Sequence, residues 1–87
     1  MYDFEFDENK SVLNLRKHGI DFVEAQELWH DPGLIEIQAA CNSEPRSVFV
    51  GRINENHWSA IITHRGNKIR IISVRRSRKS EVKLYEI

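Results

Sequence analysis

Short runs of apolar residues, interrupted by polar ones, recur from residue 34 to residue 75, and this pattern predicts strands. Four short segments, at 34–40, 46–53, 58–64 and 68–75, are rich in isoleucine, valine and aromatic residues. A loop is expected at 42–45, and Gly66-Asn67 predicts a tight hairpin turn. Because short turns join the strands, we expect an antiparallel meander.

The first half of the chain predicts a strand and then a helix. Aromatic residues at positions 2, 4 and 6 alternate with acids, which is typical of a half-buried strand. A helix is expected from Lys10 to His18, with Asp7 as its N-cap and a left-handed Gly19 at its end. Its inner face is expected to carry Val12, Leu13, Leu15 and the stem of Arg16.

A second helix is expected to begin at an Asp21 cap and to run through Trp29, where Asp31-Pro32-Gly33 ends it. A last helix is expected from about Arg78 to Tyr85. The resulting order is β-α-α-β-β-β-β-α. We therefore predict a single α+β domain over residues 1–87, with an antiparallel sheet and two helices packed on one of its faces.

Length and cysteine content restrict the class of protein. A chain of 87 residues is enough for one domain with a modest core. The single Cys41 excludes an internal disulfide and fits a cytoplasmic protein. No apolar run is long enough to cross a bilayer, and the acidic N-terminus does not have the form of a signal peptide. We expect no membrane partner.

The zero net charge hides a strong asymmetry between the two halves. Residues 1–44 contain ten acids and three bases, whereas residues 45–87 contain three acids and ten bases. One interpretation is a polyanion-binding face beside an acidic face; the other is pairing of the charges across the fold. Seven of the ten bases in the second half are arginines, which favours phosphate recognition because a guanidinium fork matches phosphate oxygens.

The order and spacing of several segments resemble the BrnT toxin family over nearly the whole chain. In the first half these are Phe6-Asp7-Glu8-Asn9-Lys10, Asn14-Leu15-Arg16-Lys17-His18-Gly19-Ile20, Phe22 and Glu24-Ala25. In the second half they are Glu44-x-Arg46, Gly51-Arg52, Thr63-x-Arg65, Ile69-Arg70-Ile71-Ile72-Ser73-Val74-Arg75-Arg76, Glu81 and Tyr85. Val74 departs conservatively from the alanine expected in that family.

The resemblance implies a toxin of a type II toxin–antitoxin module with a RelE-like fold. It also implies cleavage of RNA, either free or as ribosome-bound mRNA, that blocks translation. The implied partner is a BrnA-like ribbon-helix-helix antitoxin, and the complex would bind operator DNA only through that antitoxin. No cofactor is expected.

Such a ribonuclease needs no metal, because the ribose 2′-hydroxyl can attack the adjacent phosphorus while the 5′-oxygen leaves. Arginine would stabilise the charge that develops on phosphorus, and tuned side chains would move the protons. The histidines and Cys41 show no metal-ligand spacing. The catalytic candidates are Arg65, Arg75, His64, Glu81 and Tyr85.

Arg65 is favoured as a residue that binds the substrate or the transition state, and each of the other four catalytic candidates has a structural alternative. Strict alternation places Arg75 with Ile69, Ile71 and Ser73, and Arg76 with Arg70, Ile72 and Val74. We prefer Arg75 for phosphate, although either arginine could pair with acids instead. His64 could be the base or a solvated turn residue. Glu81 could orient an arginine, act as base or complement a helix dipole, and Tyr85 could stack on a base, donate a proton or anchor the helix.

Arg46, Arg52, Arg76 and Lys17 are the candidates for RNA binding. Arg46 and Arg52 share one side of a strand, whereas Arg76 could instead contact the antitoxin and Lys17 could serve only to complement the end of its helix. We expect the His64-Arg65 turn and the Glu81–Tyr85 helix to flank the last strand and form one basic cleft. Two competing hypotheses remain: a catalytically silent module that binds nucleic acid or a partner, and a structural protein whose charges simply pair.

Overall fold

The computed structural model describes residues 2–39 and 45–87, and it confirms the predicted α+β order. Ala40 and residues 42–44 of the expected loop lie outside the described residues. The strands are β1 (Asp3–Glu5), β2 (Ile35–Ala39), β3 (Arg46–Ile53), β4 (Asn56–Arg65) and β5 (Lys68–Arg76). The helices are α1 (Glu8–His18), a 3-10 helix (Glu24–His30) and α2 (Lys79–Tyr85).

The strands form one sheet in the order β1-β5-β4-β3-β2. The meander from β2 to β5 is antiparallel, as expected, while the short β1 adds to the edge of β5 in parallel. The two-residue turn at 66–67 has Gly66 at φ 59°, a conformation that glycine adopts without strain. This turn holds the ends of β4 and β5 in register, with Arg65 opposite Lys68.

A β-bulge in β5 changes which side chains share a face of the sheet. Ile61 pairs with Ser73, but the next residue of β4, Ile62, pairs with Ile71, so Ile72 is an extra residue in β5. The predicted grouping of Arg75 with Ile69 and Ile71, and of Arg76 with Arg70, is therefore wrong. Beyond the bulge the alternation is reversed, and Arg75 shares a face with Arg70 and, across β4, with Arg65.

One face of the sheet, which we call the core face, packs against α1, the 3-10 helix and the segment between them. Buried sheet residues on this face are Ala60, Ile62, Ile69, Ile71 and Val74. They contact Ile20, Phe22, Ala25, Leu28 and Trp29, which the helical layer supplies. The other face, which we call the outer face, carries Val50, Ser59 and Arg75. Helix α2 lies over this face, where Glu81 accepts a hydrogen bond from Ser59.

Helix α1 attaches to the sheet through polar residues, which contradicts the predicted inner face. Val12, Leu13 and Leu15 are each about half exposed, whereas Ser11 and Asn14 are buried. The Asn14 amide donates to the carbonyls of Ile20 and Val74 and accepts from the Val74 N–H. Since these backbone groups would otherwise be buried without partners, hydrogen bonding outweighs the apolar stripe in orienting the helix. The predicted Asp7 cap and the left-handed Gly19, with φ 82°, are confirmed.

The second predicted helix forms as a 3-10 helix. The Asp21 carboxylate caps its start by accepting from the Glu24 N–H at 2.7 Å. Three residues per turn place Ala25 above Leu28, and both side chains are fully buried against the core face. At its end the Asp31 N–H donates to the carbonyl of Leu28.

Candidate active site

The outer face of the sheet carries most of the basic residues in the second half of the chain. Strand pairing and the bulge place six side chains there: Arg46, Arg52, Arg65, Lys68, Arg70 and Arg75. The acids Asp21, Glu24 and Glu27 belong instead to the helical layer on the core face. Part of the charge asymmetry of the sequence is therefore a separation between the two faces, and part is paired within the outer face, where Glu5 lies 2.9 Å from Arg70.

Arg75 and Glu81 form a fork-to-fork ion pair at one end of the outer face. The Nη1 and Nη2 atoms of Arg75 each lie 2.8 Å from an oxygen of Glu81. Only 22% of the Arg75 side chain and 12% of the Glu81 side chain are exposed, so water screens the pair weakly. The contact raises the pKa of Arg75 above its ordinary value. Arg75 is thus held at one fixed position and remains charged.

Two further groups donate hydrogen bonds to one oxygen of Glu81, Oε1. The Ser59 hydroxyl and the Arg78 N–H each lie 2.8 Å from Oε1, and Ser59 also bonds to the Ser77 hydroxyl at 2.7 Å. The hydrogen bond from Arg75, assisted by those from Arg78 and Ser59, lowers the pKa of Glu81 from 4.5 to about 2. A carboxylate with so low a pKa is a poor proton acceptor at neutral pH. Glu81 therefore serves as the group that orients Arg75.

Tyr85 lies one turn after Glu81, where its hydroxyl donates to the Asp31 carboxylate at 2.7 Å. This hydrogen bond raises the pKa of Tyr85, so the phenol is protonated at neutral pH. Burial would raise the pKa of Asp31, but hydrogen bonds from Tyr85 and from the N–H groups of Gly33 and Arg52 outweigh burial and lower it. The His57 ring lies 5.1 Å from the Tyr85 ring, centroid to centroid, and His57 pairs with Arg52 across the strands.

The structure separates the predicted catalytic residues into two groups. Arg75 and Glu81 are in contact, and Tyr85 lies on the same helix as Glu81, whereas His64 and Arg65 lie at the hairpin-turn end of the sheet. Arg65 is six residues from the partner of Arg75 along β4, about 20 Å at strand geometry. The expectation of a single cleft formed by the turn and the last helix is therefore wrong.

His64 projects to the core face, away from Arg65. Its Nε2 lies 3.0 Å from Glu36, and this hydrogen bond is the main reason that the pKa of Glu36 is lowered. Its ring also makes an edge contact with Phe49, with centroids 6.3 Å apart. His64 thus has structural partners, while Arg65 stays on the outer face.

The RNA-binding candidates are spread over both faces. Arg46 and Arg52 lie on the outer face, as their even spacing predicted. Arg76 lies on the core face, where its guanidinium is 5.5 Å from the centre of the Trp58 ring in a cation–π contact. Lys17 lies in the last turn of α1 and is exposed.

Three residues of this region were not among the sequence candidates: Asp31, His57 and Ser59. Asp31 had a detectable signal, since an aspartate before Pro-Gly predicts an Asx turn, and its Oδ1 does accept from the Gly33 N–H. A serine in the middle of an apolar strand is a weaker signal for Ser59. His57 carries no local signal and becomes notable only because Tyr85 packs beside it.

No helix within residues 2–39 and 45–87 is long and apolar enough to cross a membrane. Within the same ranges, no group of three or more histidine, cysteine, aspartate or glutamate side chains is arranged to hold a metal ion.

This small α+β domain packs α1 and the 3-10 helix on one sheet face and carries arginines on the other, where a fixed guanidinium such as that of Arg75 is suited to phosphate. The family model described as the ribonuclease toxin BrnT of type II toxin–antitoxin systems matches residues 6–81, and the chain belongs to this family. The resemblance found in the sequence is thereby confirmed. A search of curated proteins found no match.

Proposed function

We propose that the chain is a metal-independent endoribonuclease that inhibits translation by cleaving RNA at the cluster of Arg75, Glu81, Tyr85 and His57. The observation that carries the proposal is the fixed Arg75 fork on the face that also holds Arg46, Arg65 and Lys68. A guanidinium has five N–H donors. Glu81 accepts from one on each Nη atom, and the Arg76 carbonyl accepts from Nη1 at 3.4 Å. The Nε–H and the second N–H of Nη2 would bind the scissile phosphate and stabilise its developing charge.

Two proton transfers complete the reaction. The 2′-oxygen forms a bond to phosphorus as its proton passes to His57, and the bond from phosphorus to the 5′-oxygen breaks as Tyr85 donates a proton to that oxygen. Histidine is the commonest general base in enzymes. Tyr85 is protonated at neutral pH, and its O–H, which Asp31 accepts in the free protein, would turn to the 5′-oxygen when the phosphate binds. Glu81 positions Arg75 and does not touch the substrate.

The remaining outer-face bases would hold the RNA on either side of the scissile bond. Arg46 and Arg52 lie on β3, and Arg65 lies near the turn between β4 and β5. Together they would bind successive phosphates of a single strand that crosses the sheet. We further propose that a BrnA-like ribbon-helix-helix antitoxin neutralises the toxin and that the complex reaches operator DNA through the antitoxin alone.

The test is cleavage of purified RNA by the purified protein in excess chelator, with and without ribosomes. Arg75→Lys keeps a positive charge beside Glu81 but removes the fork, so we expect at least tenfold slower cleavage. The matched variant Arg76→Lys, on the core face, is expected to cleave within about twofold of the wild type. Equal rates for the two variants would refute the assignment of the site, and a requirement for added divalent metal would refute the metal-free mechanism.

A second function has one observation in its favour, namely that Glu81 already occupies part of the Arg75 fork. A catalytically silent domain would bind RNA or a partner through the outer face without cutting anything. Binding of RNA with no cleavage under any of the conditions above, together with growth arrest on expression, would establish this function and exclude the ribonuclease.

A further inference from the structure

A groove on the core-face side of the molecule has no part in the proposed reaction. It has a volume of about 700 Å³ and lies between the first strand and the 3-10 helix. Its lining includes Tyr2, Phe4, Val23, Glu27, Trp29 and His30. The residues proposed for catalysis lie on the outer face, so the groove is a separate surface.

The lining of the groove is largely apolar and partly exposed. Val23 is 64% exposed and Tyr2 is 57% exposed, although both are large apolar side chains. Tyr2 and Phe4 pack edge-on against Trp29, with ring centroids 6.5 and 4.9 Å away. A concave aromatic surface with exposed walls is typical of a site for an apolar side chain of a partner protein.

Trp29 also has an unmet hydrogen-bonding group. Its indole Nε1 is the one buried side-chain nitrogen or oxygen, within the part of the chain that the structure describes, that has no hydrogen-bond partner. A buried donor without an acceptor is energetically unfavourable, so an acceptor brought to this N–H by a bound partner would stabilise the complex.

The charge around the groove favours a basic occupant. Among the described residues that line the groove, Glu27 is the one carboxylate, its side chain is 62% exposed, and none is a lysine or arginine. Glu24 belongs to the same 3-10 helix. The Glu27 carboxylate lies 3.4 Å from Nδ1 of His30. RNA phosphates would be repelled here, whereas lysine and arginine side chains would be attracted.

We infer that this groove docks a segment of the antitoxin in which apolar side chains are flanked by lysine or arginine. The inference rests on the antitoxin partner of the proposed function, but not on the ribonuclease chemistry. It places antitoxin contact on the core-face side and RNA contact on the outer face. Binding in the groove alone would therefore anchor the antitoxin without covering Arg75.

The test measures the affinity of the purified toxin for the purified full-length protein encoded beside its gene. Val23→Lys adds a positive charge to the groove at an exposed position, and we expect at least tenfold weaker binding. Val23→Glu removes the same apolar side chain but adds a negative charge, so we expect its loss of affinity to be at least threefold smaller than that of Val23→Lys. Leu84→Lys, on α2 and 48% exposed, is the matched control and is expected to bind within about twofold of the wild type.

Equal weakening by Val23→Lys and Leu84→Lys, or no weakening by Val23→Lys, would overturn the inference. Equal weakening by Val23→Lys and Val23→Glu would overturn its basic-segment component. A change in the oligomeric state of the free toxin on Val23→Lys would assign the groove to a second copy of the chain and overturn the inference. Stronger RNA binding by this variant would assign the groove to RNA and would also overturn it. If Val23→Lys abolishes antitoxin binding in a protein that cuts no RNA, the ribonuclease proposal fails and this one stands.

Discussion

Glu81 is the residue through which α2 is fixed to the sheet. No residue of α2 is fully buried, so this helix depends on a few polar contacts rather than on a packed apolar face. Glu81 accepts hydrogen bonds from Arg75, Ser59 and the Arg78 N–H. A depression of its pKa from 4.5 to about 2 corresponds to roughly 3 kcal/mol of stabilisation at neutral pH.

Replacement of Glu81 by Gln is expected to lower the free energy of unfolding by about 2 kcal/mol at pH 7, because Arg75 loses its countercharge. A group whose pKa is lowered in the folded state stabilises the fold above its unfolded pKa. The difference in the free energy of unfolding between wild type and variant should therefore reach its maximum above pH 4.5 and disappear as the pH falls towards 2. Urea unfolding across this range measures it, with the exposed Glu86→Gln as the control. A difference that did not vary with pH would contradict the assigned pKa.

Asn14 offers a second prediction for a single side chain. Its amide makes three hydrogen bonds to buried backbone groups of Ile20 and Val74. Asn14→Ala leaves these groups without partners, so we expect a loss of about 3 kcal/mol in the free energy of unfolding. Asn9→Ala, on the exposed side of the same helix, is expected to cost less than about 0.5 kcal/mol. Similar losses in the two variants would mean that Asn14 does not hold α1 to the sheet.

At the scale of elements, the sequence predicted which segments form helices and strands but not how α1 and β5 are rotated. Val12, Leu13 and Leu15 read as an inner face because apolar side chains usually point inward. The polar residues determine the orientation because they bond to backbone groups of Ile20 and Phe22, in the segment after α1, and of Val74, on β5. Contacts of this kind leave no local periodicity in the sequence.

The bulge at Ile72 was equally invisible, because Ile71-Ile72-Ser73-Val74 contains no glycine and no interruption of its β-forming residues. It determines which of the two adjacent arginines shares a face with Arg65. Alternation along the strand predicted that only one of the two arginines would share a face with Arg65. Without the bulge, however, it grouped Arg75 with the wrong neighbours. The contact between Arg75 and Glu81 was foreseeable only as one of three roles for Glu81.

The orientation of α1 leads to a prediction for the whole element. If Val12, Leu13 and Leu15 face solvent in the free protein, Leu13→Lys should change the free energy of unfolding by less than about 0.5 kcal/mol. The matched change in the core, Leu28→Lys, buries a charge at a fully buried position and should prevent folding. Thermal unfolding followed by circular dichroism distinguishes the two results. If Leu13→Lys lowered the free energy of unfolding by several kcal/mol, Leu13 would face inward, as the sequence predicted.

At the scale of the molecule, the zero net charge combines a mainly basic outer face with an acidic 3-10 helix over the core face. The acids of the 3-10 helix lie over the core face, while Arg46, Arg65 and Lys68 lie on the outer face. Summed charge alone would predict weak binding to RNA. A nucleic acid that approaches the outer face meets a local positive field instead, because at physiological salt the charges of the opposite face are screened beyond about 8 Å.

The separation of charge predicts how RNA binding should depend on salt. For a single strand, each phosphate that a cation neutralises contributes about 0.7 to the slope of log K against log salt. Arg46→Gln, on the outer face, should lower the affinity for RNA and reduce this slope by about 0.7. Arg76→Gln should change neither, since Arg76 lies on the core face against Trp58. A 2′-O-methyl RNA oligonucleotide, which has no 2′-hydroxyl to react, allows binding to be measured without cleavage. If both variants reduced the slope equally, RNA would contact both faces, and the two-faced arrangement of RNA and antitoxin sites would have to be abandoned.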